Sequence, residues 1–344
     1  MVIDTKTETH VIPTGITLRR LERHDLDAVV QIDASITGRS RRDYFERRLA
    51  AALREPSLHM QFGLEQDGSL TGYMLGRRLE GEFGRPDPAL RLEVFGVKPG
   101  RQGCGLGSKL LEMLEAEARR LDIGELRTLA AWRDHGMLRF LDRAGFQLGR
   151  NHVIDCLVQA GRIASSGEDK VLAPAHHGLS DQNDYSASPA NDFDALARDR
   201  VDVRSLAPED VDGMARIDRT ITGRDRVAYF ARQLREVLQD SAIRVSLVAH
   251  SDGSVAGYVT AKVDFGDFGR TEPVAVIDTI GVDPGFRGSG VGSALLSQLC
   301  VNLEALQVER VETVIAREYV NLLGFFYKAG FATSERLGFV KRLC

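Results

Sequence analysis

The sequence predicts an α/β fold in two tandem copies. The segment Ile36–Thr37–Gly38–Arg39 recurs as Ile221–Thr222–Gly223–Arg224, at an offset of 185 positions (221 minus 36). The same offset relates Ala144–Gly145–Phe146 to Ala329–Gly330–Phe331. Solenoid units run to roughly 20–50 residues, so a period this long indicates a duplicated domain instead. The length of 344 residues also favours about two domains.

We place the two domains at residues 1–160 and 201–344, joined by a linker at 161–200. The linker is rich in Ser, Asp, Asn, Ala and Pro, and its few apolar residues show no sustained period. This composition is typical of a segment that is disordered or draped over a surface. The cysteines and histidines lack the spacing of a metal site, so we expect no bound metal.

Charge and hydropathy exclude several classes of partner. The net charge is −4 and the isoelectric point is about 6.1, which argues against a broad basic face for nucleic acid or anionic membrane. The first residues, MVIDTKTETH, are polar and do not resemble a signal peptide. No apolar run approaches the ~18 residues that would span a bilayer. We therefore expect a cytoplasmic protein with no membrane partner.

The first half of each copy predicts a strand, two helices and a hairpin. The strands are expected at Ile16–Arg20 and Val203–Leu206. Each second helix, DYFERRLAAAL or VAYFARQLREVL, has apolar residues at helical spacing. Asp67–Gly68 and Asp252–Gly253 are strong signals for a hairpin turn.

The second half of each copy predicts a strand, a glycine-rich turn and an amphipathic helix. The strands are Leu90–Val97 and Val274–Val282. After the helix follow a further strand, a short helix that ends at Ala-Gly-Phe, and a final β segment. The further strands are expected at Glu125–Ala131 and Arg310–Ala316.

The glycine-rich turns read VKPGRQGCGLGSKLL from Val97 and VDPGFRGSGVGSALL from Val282. Glycines that adopt a positive φ, followed by the unpaired N–H groups of a helix start, form a site for phosphate groups. The dinucleotide pattern fails, because Ser108 and Ser293 stand where its third glycine belongs. The Walker A pattern fails as well, because no lysine followed by Ser or Thr comes at the required spacing.

What remains is V-x-P-x-x-[QR]-x-x-G-x-G-x-x-L-L, which resembles the acetyl-CoA loop of the GCN5-related N-acetyltransferases, the GNAT superfamily. The resemblance covers nearly all of both copies. It implies two tandem GNAT-like domains, each a mixed, mostly antiparallel sheet flanked by helices. It also implies an N-acetyltransferase that moves an acetyl (acyl) group from acetyl-CoA to a primary amine by direct transfer in a ternary complex.

The resemblance implies that backbone N–H groups of the turn bind the pyrophosphate of the co-substrate acetyl-CoA. A backbone N–H near Phe95 or Ile280 is expected to polarise the thioester carbonyl. The pantetheine arm is expected between the strand that ends at Val97 or Val282 and the strand after the helix. The implied cofactor-binding residues are Val97, Gln102, Gly103, Cys104, Gly105, Leu106, Gly107 and Ser108, and then Val282, Arg287, Gly288, Ser289, Gly290, Val291, Gly292 and Ser293.

A protonated amine must lose a proton before it attacks, so a general base is required. Glu93 and Asp278 hold equivalent positions on the strand before the turn, where GNAT enzymes often place a carboxylate base. Each is a candidate catalytic base, with a local structural role at a strand bulge as the alternative. The family's usual acid, a tyrosine, is replaced by Leu141 and Phe326. The second copy is favoured for catalysis because Arg287 is the residue usual in this loop.

The segment before the second helix commonly shapes the acceptor pocket in this family. Candidate substrate-contacting residues are Arg224, Asp225, Tyr229 and Tyr258. The acceptor class stays open between a small-molecule amine and a peptide or protein amine. A second hypothesis is that one or both copies are non-catalytic and act as a CoA-binding or structural module. Duplication also predicts a pseudo-two-fold pairing of the copies within the chain.

Overall fold

A computed structural model describes residues 10–12, 15–79, 81–85, 88–159, 201–239, 244–251, 253–264 and 272–343. The chain divides into two compact units. The N-terminal unit comprises Met1–His152, Asp264–Pro273 and Glu335–Cys344, and the C-terminal unit comprises Val153–Val263 and Val274–Ser334. The linker predicted at 161–200 lies outside the described residues, as does Asp252 of the second hairpin turn.

The N-terminal unit is built on an eight-stranded mixed sheet. Its helices are α1 (Leu26–Thr37), α2 (Arg42–Arg54), α3 (Leu106–Arg120) and α4 (His135–Arg143). Its strands are β1 (His10–Ile12), β2 (Ile16–Arg20), β3 (His59–Gln66), β4 (Ser69–Leu79), β5 (Ala89–Val97), β6 (Glu125–Ala131) and β7 (Gln147–Leu148), joined by β15 (Arg336–Arg342) from the C-terminus. The strand order is β1-β2-β3-β4-β5-β6-β15-β7, and β5 and β6 pair in parallel.

The C-terminal unit is built on a seven-stranded mixed sheet. Its strands are β8 (Asn151–Leu157), β9 (Asp202–Ser205), β10 (Arg244–Ser251), β11 (Ser254–Asp264), β12 (Val274–Val282), β13 (Arg310–Ala316) and β14 (Ala332–Thr333). Its helices are α5 (Val211–Thr222), α6 (Val227–Gln239), α7 (Val291–Ala305) and α8 (Val320–Lys328). The strand order is β14-β8-β13-β12-β11-β10-β9. The predicted α/β fold in two copies is confirmed, and the predicted strands agree within a residue or two.

The last strand of each copy lies in the sheet of the other copy's unit. β15 is inserted between β6 and β7, antiparallel to β6 from Arg336↔Ala131 to Arg342↔Glu125. β8 is inserted between β14 and β13, where Ala332 pairs with Asp155. The compact units therefore depart from the contiguous division expected at 1–160 and 201–344. Because both copies carry the same repeat, each sheet offers the same gap, and a strand from either copy satisfies its backbone hydrogen bonds.

Helices cover both faces of the N-terminal sheet. One apolar cluster joins the sheet to α3 and α4 through residues such as Leu92, Leu110 and Phe146. A second cluster joins the opposite face to α1 and α2 through Val29 and Phe45. β5 contributes to both clusters because a bulge interrupts its pairing with β4, where Leu75 pairs with Val94 but Gly76 pairs with Leu92. Glu93 is the extra residue of that bulge, which switches the side-chain alternation to the other face.

The hairpin predicted at Asp67–Gly68 is confirmed. A two-residue loop joins β3 to β4, and Asp67 and Gly68 have φ values of 53° and 74°. Both values lie in the left-handed region that a tight hairpin turn of this length requires.

Among the helices of the described residues, none is both long enough and apolar enough to cross a membrane. The cytoplasmic location stays a prediction.

We expect Phe339→Ala to destabilise the N-terminal unit by about 2 kcal/mol, because Phe339 of β15 packs against that unit's apolar cluster. Trp132, the one tryptophan in the sequence, donates its backbone N–H to the Glu335 backbone carbonyl at 3.0 Å. Its fluorescence therefore reports unfolding of the unit that receives β15. The measurement is a urea titration followed by this fluorescence.

The matched control is Leu337→Ala, because this side chain on the same strand is 37% exposed and its loss should cost less than about 1 kcal/mol. A tryptophan transition that Phe339→Ala leaves unchanged would show that β15 does not support the N-terminal unit.

Candidate functional site

In each unit a glycine-rich turn joins a strand to the helix that follows it. The turn runs from the end of β5 to α3 in the N-terminal unit, and from the end of β12 to α7 in the C-terminal unit. Gly103 and Gly105 have φ values of 78° and 79°, and Gly288 and Gly290 have values of 80° and 84°. A side chain in this left-handed region costs roughly 1–2 kcal/mol, so these positions favour glycine.

The start of α3 and of α7 presents bare backbone amides. Gly105 and Gly290 are the residues just before the helices, neither helix start has a side-chain cap, and neither first turn carries an acidic residue. A Cβ at Gly103, Gly105 or Gly288 would meet no atom within 4 Å. The unpaired N–H groups and the positive end of the helix dipole therefore face open space, which suits a phosphate group.

The side chains of the turn divide between the core and the surface. Leu106 and Val291 are 5% and 1% exposed, and Val97 is buried, so these residues anchor the turn and offer a ligand only their backbone. The Gln102 side chain donates to the Val97 carbonyl at 3.1 Å. The exposed or half-buried residues are Gln102, Gly103, Cys104, Gly105, Gly107 and Ser108 in the first turn, and Val282, Arg287, Gly288, Ser289, Gly290, Gly292 and Ser293 in the second.

Gly107 and Gly292 allow a close approach by an aromatic ring. A Cβ at Gly107 would lie 3.2 Å from the Phe140 ring of α4, and a Cβ at Gly292 would lie 3.1 Å from the Phe325 ring of α8. A larger residue would push the short helix away from the turn. Packing against these rings therefore explains why Gly107 and Gly292 are glycines.

The two parallel strands beside each turn part at their carboxyl ends. In the N-terminal unit the ladder ends at Arg91↔Arg127, although β5 continues to Val97 and β6 to Ala131. In the C-terminal unit it ends at Ile277↔Thr313, although β12 continues to Val282. The gap opens next to the turn and provides room for an extended chain. Phe95 and Ile280, the residues expected to polarise a thioester, lie in the parted segments.

Glu93 is held in a buried ion pair. Its side chain lies at the bulge of β5, is 2% exposed, and accepts a hydrogen bond from Arg48 of α2. The same guanidinium lies 2.6 Å from His59 Nδ1. A carboxylate paired in the interior accepts a proton only if the pair breaks, and the unpaired arginine then costs about 3–5 kcal/mol. This arrangement gives Glu93 the structural role and makes it a poor general base.

Asp278, at the position equivalent to Glu93, has a different neighbourhood. Gln233 of α6 stands where the N-terminal copy has Arg48, and it is 4% exposed. Asp278 itself is half-buried on β12. The C-terminal unit thus keeps the carboxylate but replaces the buried arginine with a neutral amide. Asp278 therefore stays the candidate base of the C-terminal unit, as the sequence predicts.

Tyr258 is part of a buried cluster and does not line an accessible pocket. Its hydroxyl donates to Asp218 Oδ1 at 3.2 Å, and Asp218 is paired with Arg226, whose Nε donates to Oδ2 at 2.7 Å. Burial raises the pKa of Tyr258. Tyr229 is 5% exposed, and the Arg226 guanidinium lies 4.9 Å from its ring centroid. The substrate-contacting role expected for Tyr258 and Tyr229 is therefore not supported, because core packing holds both rings.

The same cluster occurs in the N-terminal unit. Tyr73 donates to Asp33 Oδ1 at 2.7 Å, and Arg41 Nε donates to Asp33 Oδ2 at 2.8 Å. The aspartates lie on α1 and α5, and the arginines lie at the start of α2 and α6. In both units the cluster joins the first helix and the start of the second helix to the tyrosine on the sheet.

Arg224 and Asp225 lie on the surface just before α6. Both are exposed, and Asp225 accepts a hydrogen bond from the Val227 amide at 3.2 Å and pairs with Arg219 at 2.9 Å. The Val227 amide and Arg219 lower the pKa of Asp225. The described contacts thus give Asp225 a helix-capping role and leave Arg224 as the more available of the two.

The positions that hold the family's tyrosine acid are in the core. Leu141 and Phe326 have no exposed area, and Phe326 packs edge-on against Phe331, with 4.8 Å between the ring centroids. The Tyr327 hydroxyl lies 3.5 Å from Thr333 Oγ1.

Among the described residues, no three His, Cys, Asp or Glu side chains are grouped as metal ligands would be.

Sequence reasoning did not single out Arg48, Gln233 or the Asp–Arg–Tyr clusters. An alignment of the two copies at the constant offset would have shown the Arg48/Gln233 difference. It would not have shown that Arg48 reaches Glu93, because α2 and β5 meet only in the folded unit. Trp132 is 47% exposed, and the Arg133 guanidinium lies 5.1 Å from its ring centroid.

Comparison with known proteins relates both halves of the chain to acetyltransferases. The model of the acetyltransferase (GNAT) family matches residues 26–146 and 215–331. A mycothiol acetyltransferase of Clavibacter michiganensis subsp. michiganensis is 28% identical over 248 residues, which cover 72% of this chain and 70% of the relative.

Two solved structures show the same fold over nearly the whole chain. A tandem GNAT protein from the clavulanic acid biosynthesis pathway has a TM-score of 0.61 at 16% identity, with 95% of this chain and 98% of that chain covered. A GCN5-related N-acetyltransferase from Sphaerobacter thermophilus has a TM-score of 0.56 at 16% identity, with coverage of 96% and 97%.

We expect Arg226→Ala to lower the free energy of unfolding of the C-terminal unit by about 3–5 kcal/mol, because it leaves Asp218 buried without its partner. The measurement is urea unfolding followed by circular dichroism. Arg224→Ala is the matched control, since this neighbouring arginine is exposed and its loss should cost less than about 0.5 kcal/mol. Equal effects of the two substitutions would contradict the structural role of the cluster.

Proposed function

The chain belongs to the acetyltransferase (GNAT) family, and on this premise we propose that it is an N-acetyltransferase. It moves an acetyl (acyl) group from acetyl-CoA to a primary amine by direct transfer in a ternary complex. The observation that carries the proposal is the bare helix start behind left-handed glycines, next to two parted strands, in each unit.

The turn and the gap fit the two parts of the co-substrate. The amides of residues 102–107 and 287–292 are suited to the diphosphate, apart from those of Arg287 and Ser289, which donate to the Pro284 and Phe286 carbonyls. The Arg287 side chain adds a positive charge in the C-terminal unit. The gap between the parted strands accommodates the pantetheine arm. Backbone N–H groups near Phe95 and Ile280 then polarise the thioester carbonyl, where negative charge develops as the amine attacks.

The amine requires a base. A lysine-like amine has a pKa near 10.4, so its deprotonation at pH 7 costs about 4.6 kcal/mol. We assign this proton to Asp278, directly or through water, because it is half-buried at the candidate-base position on β12, whereas Glu93 at the equivalent position is committed to Arg48. The thiolate leaves with a pKa near 8.5 and takes its proton from water, so no tyrosine acid is required.

The N-terminal unit supports a second candidate function, that of a CoA-binding module without transferase activity. Its turn has the same glycine geometry as the C-terminal turn. Its carboxylate, however, is committed to Arg48. Binding without transfer is the function that this combination favours.

The acceptor is an amine of a small molecule or of a peptide or protein. The relative that is named a mycothiol acetyltransferase makes small thiol-bearing amines the first group to assay. Acetylation of an amine panel, measured with acetyl-CoA, tests the activity itself. Absence of transfer to every amine, with both turns occupied by CoA, would favour a binding function for both units.

We expect Asp278→Asn to lower kcat by roughly 10²–10⁴-fold and to flatten its pH dependence, while the affinity for CoA stays unchanged. The matched control is Arg48→Gln/Glu93→Gln, which removes both charges of the buried pair and leaves no unpaired arginine. It should leave kcat within about twofold because Glu93 is committed to Arg48. The measurement is the pH–rate profile of both variants. A larger loss of kcat in the double variant than in Asp278→Asn would transfer the catalytic role to the N-terminal unit.

We expect calorimetry to find two acetyl-CoA sites per chain and one in either Gly105→Glu or Gly290→Glu. The new side chain would force a left-handed residue and place a negative charge at the amides. Trp132 lies just after β6 in the N-terminal unit, so Gly105→Glu should abolish any change in its fluorescence on binding, and Gly290→Glu should retain it. Two sites that persist in both variants would contradict the assignment of the turns.

A further inference from the structure

A groove in the N-terminal unit lies between α1, the β3–β4 hairpin and the residues after β5. Its volume is about 810 Å³, within the range of roughly 300–1,000 Å³ typical of small-molecule sites. Its walls include Arg19, Gln31, Ile32, Glu65 and Lys98. No residue assigned above to acetyl transfer lines it.

The charges that line the groove are paired, with one exception. The Arg19 guanidinium donates to Asp25 at 2.7 and 2.8 Å and to Glu65 at 2.9 Å. Burial alone would raise the pKa of Asp25, but hydrogen bonds from Arg19 and the Glu22 amide outweigh it and hold that pKa below its usual value. Across the described part of the chain, no carboxylate pairs with the exposed ammonium of Lys98.

The C-terminal unit closes the corresponding place with an ion pair. Arg216 and Asp283 stand at the positions equivalent to Gln31 and Lys98, and their side chains meet at 2.6 Å. Arg216 also donates to the Val255 carbonyl at 3.1 Å. Glutamine and lysine cannot form this bridge. The N-terminal groove is therefore unbridged, and one positive charge is left on its wall.

We propose that this groove binds a small organic carboxylate. The carboxylate pairs with Lys98 and accepts a hydrogen bond from the exposed Gln31 amide. The apolar body lies against the part of the wall that includes Ile32 and Leu70. A single negative charge matches the single unpaired cation, whereas a dianion would bring surplus charge towards the carboxylates of Asp25 and Glu65.

The test is saturation-transfer difference NMR on the full chain without acetyl-CoA, with benzoate as probe and benzamide as its uncharged counterpart. We expect benzoate to bind at millimolar concentration and benzamide to bind at least fivefold more weakly. The variant Gln31→Arg/Lys98→Asp, which copies the ion pair of the C-terminal unit, should weaken benzoate binding by at least tenfold. Because acetyl transfer is not measured, the result is independent of the proposed function.

Lys98→Gln is a second variant at an exposed position, and it should lose most of the benzoate response even if the double variant fails to fold. Lys328→Gln removes an exposed lysine of the C-terminal unit and should retain the full response. Equal benzoate binding by the wild type and Lys98→Gln would overturn the proposal, as would equal binding of benzoate and benzamide.

Discussion

The left-handed backbone of the glycine just before α3 and before α7 determines what each unit is able to bind. Gly105 and Gly290 turn the chain from strand to helix without a side chain over the first amides. At an ordinary helix start, a Ser or Asp with extended backbone satisfies the first amides and stabilises the helix by about 1 kcal/mol, but the left-handed φ of Gly105 and Gly290 disfavours such a cap. The chain thus gives up local stability to leave hydrogen-bond donors open. The parting of the adjacent parallel strands leaves a gap next to each turn, with room for an extended chain.

The two units use this arrangement with different chemistry around it. In the N-terminal unit, Arg48 neutralises the carboxylate of the β5 bulge, and in the C-terminal unit a glutamine stands in its place. The charge also differs at the equivalent positions next to the turns, where the N-terminal unit has Lys98 and the C-terminal unit has Asp283. Duplication allows such differences, because two copies of one fold need not carry the same side chains around the turn. The buried Asp–Arg–Tyr clusters are common to both units and support the fold in each.

The sequence carried enough information to predict the repeat, the order of elements and the glycine turns, because these depend on local backbone preferences and on hydrophobic spacing. It did not predict the exchange of β8 and β15. Strands of equivalent sequence satisfy the same hydrogen bonds in either sheet, so the choice depends on how the chain is connected through space. It also did not predict that Tyr258 is buried against Asp218. The sequence alone does not distinguish a strand tyrosine whose hydroxyl contacts a ligand from one whose hydroxyl donates to a buried carboxylate.

The central claim is that the backbone amides of both turns bind the diphosphate of acetyl-CoA. A crystal structure of the chain with acetyl-CoA tests it most directly. We expect density for the diphosphate within hydrogen-bond distance of amides 102–107 and 287–292, with the pantetheine arm between the parted strands. Density for the co-substrate at another place, or two turns that stay empty at saturating concentration, would contradict the account.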